Sequence, residues 1–409
     1  MKEHIEEAIH NFRAAAPVYA RNERYYRGDH DLAFATEKFA NTFGSLFREF
    51  ALNLCPAVCD AVRDKLRVTG FLPENGALAV ETDRIWRRNR LPIRAGEVHR
   101  EALVTGDAYV IVWPDDAGRA AVYPNRAANC TVAYDEENAG KVLWAAKYWR
   151  TLGRHTRLNI FYPDRIERFI TAKPSEGILA DAGQFVRYRD AIPNPYGVVP
   201  VFHFANNADI GSFGRSELEA AIPVQDGMNK AVLDMLVAME FSAYRQRWAA
   251  GIEIEYDNDG QPVAPFKAGV DHLWLAQNPE ARFGDFNTAD LDQFLKVKDS
   301  FRVDIASVTG TPMYYLLPNS RSFPSGEALR KSETRFIAKV RERQAVFGQT
   351  WAEAMAFALR VEGHGVVFPT TRWEDPARLS EREELENILL RKQIGISDEQ
   401  ALREAGYEA

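Results

Sequence analysis

Cysteine is scarce. Cys55, Cys59 and Cys130 are the only three in 409 residues, too few for a disulfide framework and in keeping with a reducing compartment. Cys55 and Cys59 share a helix face at i, i+4, a spacing a metal could use. With no second pair and no nearby histidine they read as buried thiols. Long apolar runs are missing as well: no stretch reaches the ~18 uninterrupted apolar residues of a membrane span, so none is expected. The charged start, Met-Lys-Glu-His-Ile-Glu-Glu, has no apolar core segment, so no secretory signal is expected. Positive charge is not in excess. A net charge of −7 argues against a protein whose whole surface grips nucleic acid. It suits one that touches DNA transiently or must avoid sticking to it.

Motifs of catalysis are also absent. There is no phosphate-binding Walker loop, no dinucleotide-binding glycine fingerprint and no nucleophile elbow. His155 and His364 stand alone beside glycines, without paired-cysteine or HExxH company. Asp115 and Asp116 fall in Pro-Asp-Asp-Ala-Gly, a turn that needs such side chains for backbone hydrogen bonds. No carboxylate pair sits in a pattern that demands acid–base chemistry. No cofactor and no metal are therefore expected. Arg87-Arg88-Asn-Arg90, beside Trp86, could meet phosphate and reads first as a solvated helix end.

What is there is ordinary globular material, 46% apolar and 27% charged, with length for two or three domains and no repeats. Residues 1 to about 105 read as helical, interrupted at Tyr25-Tyr-Arg-Gly-Asp29, by Pro56 within 39–67, and by the Gly70 and Pro73 loop; 78–89 and 93–104 are two further helices. From Gly106 the texture is β: 108–113, 120–123, 130–134, 142–149, 157–162, 166–171, 185–189 and 201–204 read as a mainly antiparallel sheet. Ser216-Glu-Leu-Glu219 fits a capping box opening a helix to about Arg247, apolar at Leu218, Ile222, Met228, Val232, Leu236 and Met239. A small β insertion, about 249–287, follows, with strands at 251–256 and 270–275 around an Asp257-Asn-Asp-Gly260 turn. Between Ala249 and Asp290 eight acids, Glu253, Glu255, Asp257, Asp259, Asp271, Glu280, Asp285 and Asp290, face only Lys267 and Arg282.

The stretch 288–363 organises the rest. One helix starts near Thr288, carries Leu291, Phe294, Leu295, Phe301, Ile305 and Val308 at helical spacing, and stops at Gly310 and Pro312. An apolar loop bracketed by prolines follows: Met313-Tyr-Tyr-Leu-Leu-Pro-Asn-Ser-Arg-Ser-Phe-Pro-Ser-Gly326. A second helix then runs to about Glu362 with Phe336, Val340, Phe347, Trp351, Met355 and Leu359 on one face. At about 1.5 Å per residue that is a rod of roughly 54 Å, suited to assembly or to a channel. Its mixed-sign residues, Arg330, Lys331, Arg335, Lys339, Arg341 and Arg343 against Glu327, Glu333 and Glu342, favour contact between neighbouring helices over DNA grip. Val366–Phe368 is a short strand, 373–378 a loop, and two short helices open at Ser380 and Ser397.

In this order the parts resemble the portal (head–tail connector) proteins of long-tailed bacteriophages. The resemblance rests on Tyr25-Tyr-Arg-Gly-Asp-His30, Val58 to Phe71, His99-Arg-Glu-Ala-Leu-Val-Thr-Gly-Asp-Ala-Tyr-Val110, Gly214-Arg-Ser-Glu-Leu-Glu219 through Gln246-Arg-Trp248, and Asp304-Ile-Ala-Ser-Val-Thr-Gly-Thr-Pro312 with Pro324-Ser-Gly-Glu-Ala-Leu329. It implies an α+β portal fold. Residues 1–215 would form a wing, 216–248 the first stem helix, 249–287 the clip, 288–310 the second stem helix and 311–324 a tunnel loop. Residues 325–370 would be the long wing helix with a return strand, and 371–409 a short helical crown; no barrel-like extension is expected after it.

The resemblance further implies a ring of about twelve subunits at one capsid vertex, with double-stranded DNA passing through it without sequence preference. Its partners would be the terminase large subunit, which carries the ATP chemistry, a head–tail adaptor, and the major capsid and scaffolding proteins. It would reside in the virion and assemble in the host cytoplasm, with no membrane contact and no enzyme activity. The tunnel loop would present Met313, Tyr314, Tyr315, Leu316, Leu317, Arg321 and Phe323 to DNA, the alternative being packing inside one subunit. Phe294, Phe301 and Ile305 would pack against a neighbouring stem helix. The clip would be acidic through Glu253, Glu255, Asp257, Asp259 and Asp271, so that phosphate slides past. A different head–tail adaptor ring, or an α/β enzyme with a pocket of ionisable groups, remain the other readings.

Overall fold

The computed structural model describes residues 2–50, 52–73, 76–138, 140–174, 179–243, 247–251, 278–285, 292–317, 326–377, 389 and 397. Arg321, Phe323 and the acidic residues Glu253, Glu255, Asp257, Asp259 and Asp271 lie outside them, as do residues 252–256 and 270–275 of the expected strands and all but residues 389 and 397 of the expected C-terminal helices. The chain divides into two compact units: 1–30, 53–225 and 302–409 in one, 31–52 and 226–301 in the other.

In the larger unit, α1 (Lys2–Arg27) buries Ile5, Ala8, Ile9 and Phe12, a stripe at three- and four-residue spacing. It ends where Gly28 turns to φ +88°, a left-handed conformation that favours glycine. α3 (Cys55–Arg63) carries Pro56 in its first turn, where a missing N–H costs nothing. α4 (Ala79–Arg88) and α5 (Leu91–Thr105) follow as expected. All three cysteines are buried free thiols; burial pushes Cys59 up and Cys130 to about 12.

The expected single sheet is two. A three-stranded sheet has the order β3-β2-β9 (β2 Asp107–Pro114, β3 Ala120–Arg126, β9 Val201–Ala205). A five-stranded meander runs β4 (Cys130–Tyr134), β5 (Val142–Arg150), β6 (Thr156–Phe161), β7 (Arg165–Thr171) and β8 (Phe185–Pro193), every pair antiparallel. Alternation explains the layering. Trp144, Ala146, Tyr148, Leu158, Ile160 and Phe169 face α1, whereas Ala145, Phe161 and Ile166 pack on the opposite side with Tyr109, Ile111 and Val201 of the smaller sheet. The Asp115 turn is built as read: Asp115 accepts from the N–H groups of Ala117 (2.9 Å) and Arg119 (2.8 Å), and the Arg119 N–H foremost holds its carboxyl below the usual range.

α9 (Gly326–Val361), 36 residues and roughly 54 Å long, buries Phe336, Val340, Phe347, Trp351, Met355 and Leu359 and packs along β9 and β2. Six such side chains at about 1.5–3 kcal/mol each supply a gross burial term on the order of 10 kcal/mol. That term holds the rod to the sheet. Two expectations fail here. The N-terminal region is not wholly helical, because β1 (Val68–Leu72) pairs antiparallel with β12 (Thr370–Trp373). The C-terminal strand accordingly lies at 370–373 rather than 366–368, since a strand needs this partner to bond its backbone.

In the smaller unit lie α2 (Glu37–Phe50), most of α6 (Ala221–Ala243) and the first part of α7 (Asp292–Thr309). α6 starts after the expected capping box and stops before Arg247, which instead opens β10 (Arg247–Ala250). β10 pairs antiparallel with β11 (Arg282–Asp285), bringing the two ends of the insertion together.

Candidate functional site

Within the larger unit, a buried ionic cluster gathers the segment before α6, the end of α7 and the middle of α9. Ser216, expected as a helix cap, does other work: its hydroxyl donates to the Val104 carbonyl at 2.5 Å and accepts the Leu218 N–H at 3.0 Å. This turns Glu217 inward, its N–H donating to the Leu103 carbonyl at 2.9 Å. The Glu217 carboxylate then meets Lys339 Nζ at 2.5 Å and Arg343 Nη2 at 3.0 Å, all three side chains being nearly buried. Burial alone would raise the Glu217 pKa; Lys339 first, then Arg343, outweigh it and leave the carboxyl below its usual range. Lys339 Nζ also donates to the carbonyl of Thr309 at 2.9 Å, satisfying the open C-terminus of α7 with a cation, as helix ends prefer. Gly310, at φ +67°, makes the exit. One cluster thus fixes the root of α6, the end of α7 and the middle of α9. Sequence reasoning assigned Lys339 and Arg343 to a face shared with neighbouring subunits. They are instead committed to Glu217, a partner more than a hundred residues away that local spacing cannot reveal.

Beyond Gly310, part of the expected loop is a short helical turn, α8 (Met313–Leu316). Leu316 is buried, while Met313, Tyr314, Tyr315 and Leu317 are half-buried. The Tyr314 hydroxyl donates to Glu333 of α9, and burial, then this bond, drive its pKa upward. The Tyr315 ring lies 5.9 Å from Phe336 and 4.5 Å from Tyr314. The described start of the loop is therefore anchored on α9.

Of the three expected stem-packing residues, Phe294 is half-buried, Phe301 lies against Gly227 of α6 in the same chain, and Ile305 is buried within the chain at 1% exposure. Leu295, Val297, Val303 and Val308 on the same helix are exposed. Arg87 and Arg88 are occupied, by Asp83 and Glu362 respectively.

A second buried network went unnoticed in the sequence. Asp107, 1% exposed, accepts from Tyr19 Oη (2.6 Å) and the Gly214 N–H (2.7 Å), and lies 2.7 Å from His203 Nε2. His203 Nδ1 lies 2.6 Å from the Tyr134 hydroxyl. These side chains tie α1 and both sheets to the segment before α6. Its members saturate one another, which suits a fixed joint. Gly106 and Gly214 belong to the same joint: a β-carbon on Gly214 would stand 2.0 Å from the Gly106 carbonyl oxygen, so the motif glycine permits a backbone crossing. Among the described residues no group of three or more His, Cys, Asp or Glu side chains could hold a metal ion, and no helix is long and apolar enough to cross a membrane.

The sequence model of the family described as phage portal protein, SPP1 Gp6-like, matches residues 5–405. The portal protein of Mycobacterium phage L5 is 26% identical over 353 residues, spanning 78% of this chain and 67% of its own length. That of Mycobacterium phage D29 is 27% identical over 341 residues, with the same coverage. Among solved structures, a chain in the neck of an empty GTA particle superposes with a TM-score of 0.49 at 15% identity, covering 86% of this chain and 89% of that one. A chain in the virion of a native gene transfer agent particle gives 0.48 at 14%, with the same coverage. With its family match running almost from end to end, this α+β chain belongs to the SPP1 Gp6-like phage portal protein family and is a bacteriophage head–tail connector.

Proposed function

We propose that about twelve copies of this chain close into a ring at one capsid vertex, through which double-stranded DNA enters during packaging and leaves during ejection. The observation that carries this reading is α7. Its Phe301 and Ile305 are used within the chain, yet Leu295, Val297, Val303 and Val308 stand exposed on its other sides. These apolar side chains alternate with charged ones such as Lys296, Asp299 and Asp304, a mixed surface suited to packing against another helix with ion pairs at its edges. In a ring each copy would supply that helix to its neighbour's stem. A heterologous contact of that kind closes when its rotation divides the circle.

In this assignment the wing is 1–215 with 325–370, the stem 216–248 and 288–310, the clip 249–287, the tunnel loop 311–324 and the crown 371–409. The eight acids between 249 and 290 would repel phosphate, and the tunnel loop with Met313, Tyr314, Tyr315, Leu317 and Phe323 would offer DNA apolar surface without lasting ion pairs. The chain acts as a conduit and platform rather than an enzyme: the terminase large subunit would dock on it and supply ATP hydrolysis, a head–tail adaptor would seat on it, and capsid and scaffolding proteins would surround it. Assembly would take place in the host cytoplasm and the product would reside in the virion.

Light scattering followed by electron microscopy tests this. A particle of about 556 kDa, twelve chains of 46.3 kDa, with a central hole is expected. A compact dimer without a hole overturns the ring.

A further inference from the structure

The five-stranded sheet has one face that is only half covered. Towards β4 and the β6–β7 turn it packs on the smaller sheet through Ala145, Phe161 and Ile166. Towards the β5–β6 turn the same face carries two transverse rows. In the first, Lys147 stands opposite Asn159, Asn159 opposite Arg168, and Arg168 opposite Arg189. In the second, Trp149 stands opposite Arg157, followed by Ile170 and Val186. Directly opposed residues of a regular antiparallel ladder project to one side, which groups Lys147, Asn159 and Arg168. The β7–β8 register is irregular on both sides of Arg168–Arg189, and Arg189 joins the group through the Tyr188 ring that it shares with Arg157. Four cations, one from each of β5, β6, β7 and β8, therefore share this surface. At about 4.8 Å between strands they span roughly 14 Å.

Three observations mark the surface as made for an anion. Arg168 and Arg189 are direct cross-strand neighbours, a like-charge pair that costs stability unless something negative lies over it. Among the described residues none of the four cations forms an ion pair; Arg168 reaches only the backbone carbonyl of Asp190, at 2.6 and 3.2 Å. Arg157 is clamped between the rings of Trp149 (4.9 Å) and Tyr188 (4.2 Å), while Arg189 lies 5.1 Å from Tyr188 and Lys147 5.6 Å from Trp149. Stacking of this kind fixes a guanidinium without using its donors, and Arg157 Nε is buried with no partner.

We propose that this sheet face binds the phosphate backbone of duplex DNA on the outside of the protein. Charge density selects this partner. A duplex carries about one charge per 1.7 Å, so roughly eight phosphates lie along the span of the four cations. An extended peptide advances about 3.3 Å per residue, with alternate side chains on one face. The acidic stretch of a second copy spreads its eight acids over residues 249–290 and cannot match that density. The aromatic rings are taken up by cations, so they hold the arginines rather than read bases, and binding is independent of sequence.

The contact is separable from passage through a ring, because a nicked circular plasmid cannot thread a closed one. Retention of such a plasmid by the full-length protein is measured against salt, for the wild type and for Arg157→Gln/Arg168→Gln/Arg189→Gln. Loss of about three units of salt-dependence slope is expected, with Arg168→Lys/Arg189→Lys retaining most of it. Unchanged retention in the triple variant overturns the proposal. So does poly-glutamate displacing the plasmid at equal charge concentration, which assigns the face to an acidic protein instead. A triple variant with a lowered melting temperature is replaced by Lys147→Gln/Arg189→Gln, for which a loss of about two units is expected and none overturns.

Discussion

A β-carbon placed on Gly227 would stand 3.1 Å from Cε1 and 3.2 Å from Cζ of Phe301, so the two long helices cross where one has no side chain and the other has a ring. That contact is closer than a larger residue permits, and overfilling such a site costs about 1–3 kcal/mol. Gly227→Leu is expected to separate the helices and lower the melting temperature. Phe301→Asp, which buries a carboxylate at the crossing, is expected to prevent ring formation altogether. Intact rings from the Phe301 variant refute the role given to the crossing.

Among the described residues, Glu217 is the one acid in contact with both Lys339 and Arg343. Glu217→Gln keeps the shape but leaves two buried cations facing a neutral group, and breaking a buried pair costs about 3–5 kcal/mol. The expected result is a fall in denaturant midpoint with an unchanged m-value. Because the carboxyl is held below its ordinary value, its contribution is full above the usual glutamate pKa of about 4.3. It is lost as pH falls through the lowered value. The variant should therefore lack that part of the acid sensitivity.

Much of this architecture was readable beforehand, and the reasons are local. The stripe from Phe336 to Leu359 follows helical spacing, and the runs at 130–134 and 142–149 alternate or carry β-branched and aromatic residues. Asp115 sits in a turn whose chemistry is complete within five residues. By contrast, Val68–Leu72 is a strand only because Thr370–Trp373 pairs with it. The inward turn of Lys339 and Arg343 depends on Glu217, and the Asp107–His203 joint brings together residues nearly a hundred positions apart. Spacing within a window carries none of these. The rows on the five-stranded sheet depend on strand register, which the turns leave open.

The Trp351 indole donates to Nε2 of His99 at 2.8 Å, with neither residue more than 1% exposed. Burial pushes the His99 pKa down to about 3, against about 6.5 in an unfolded chain. Between those values the unfolded state takes up a proton that the folded state refuses, so stability falls with pH by about 1.4 kcal/mol per unit. From pH 6.5 to 4 this is on the order of 3 kcal/mol. His99→Gln is expected to be less stable at pH 7, through lost ring packing against Phe347, yet to show a shallower decline on acidification. Parallel pH profiles would remove His99 as the cause.

The exposed side of α7 gives the sharpest test of assembly, because it can be altered without touching what α7 does inside its own chain. Leu295, Val303 and Val308 are 46, 50 and 47% exposed; polar replacements there leave Phe301 on Gly227 and Ile305 in the core. In a monomer such changes cost little, since surface substitutions are usually within about 0.5 kcal/mol. In a ring each would be repeated at every interface, and a charge buried without a partner is costly at each one. Leu295→Glu/Val303→Lys/Val308→Glu is therefore expected to melt like the wild type as an isolated chain but to fail to form the large particle in light scattering. If the variant still assembles, α7 does not face its neighbours through these residues. If it unfolds, they serve the subunit's own interior.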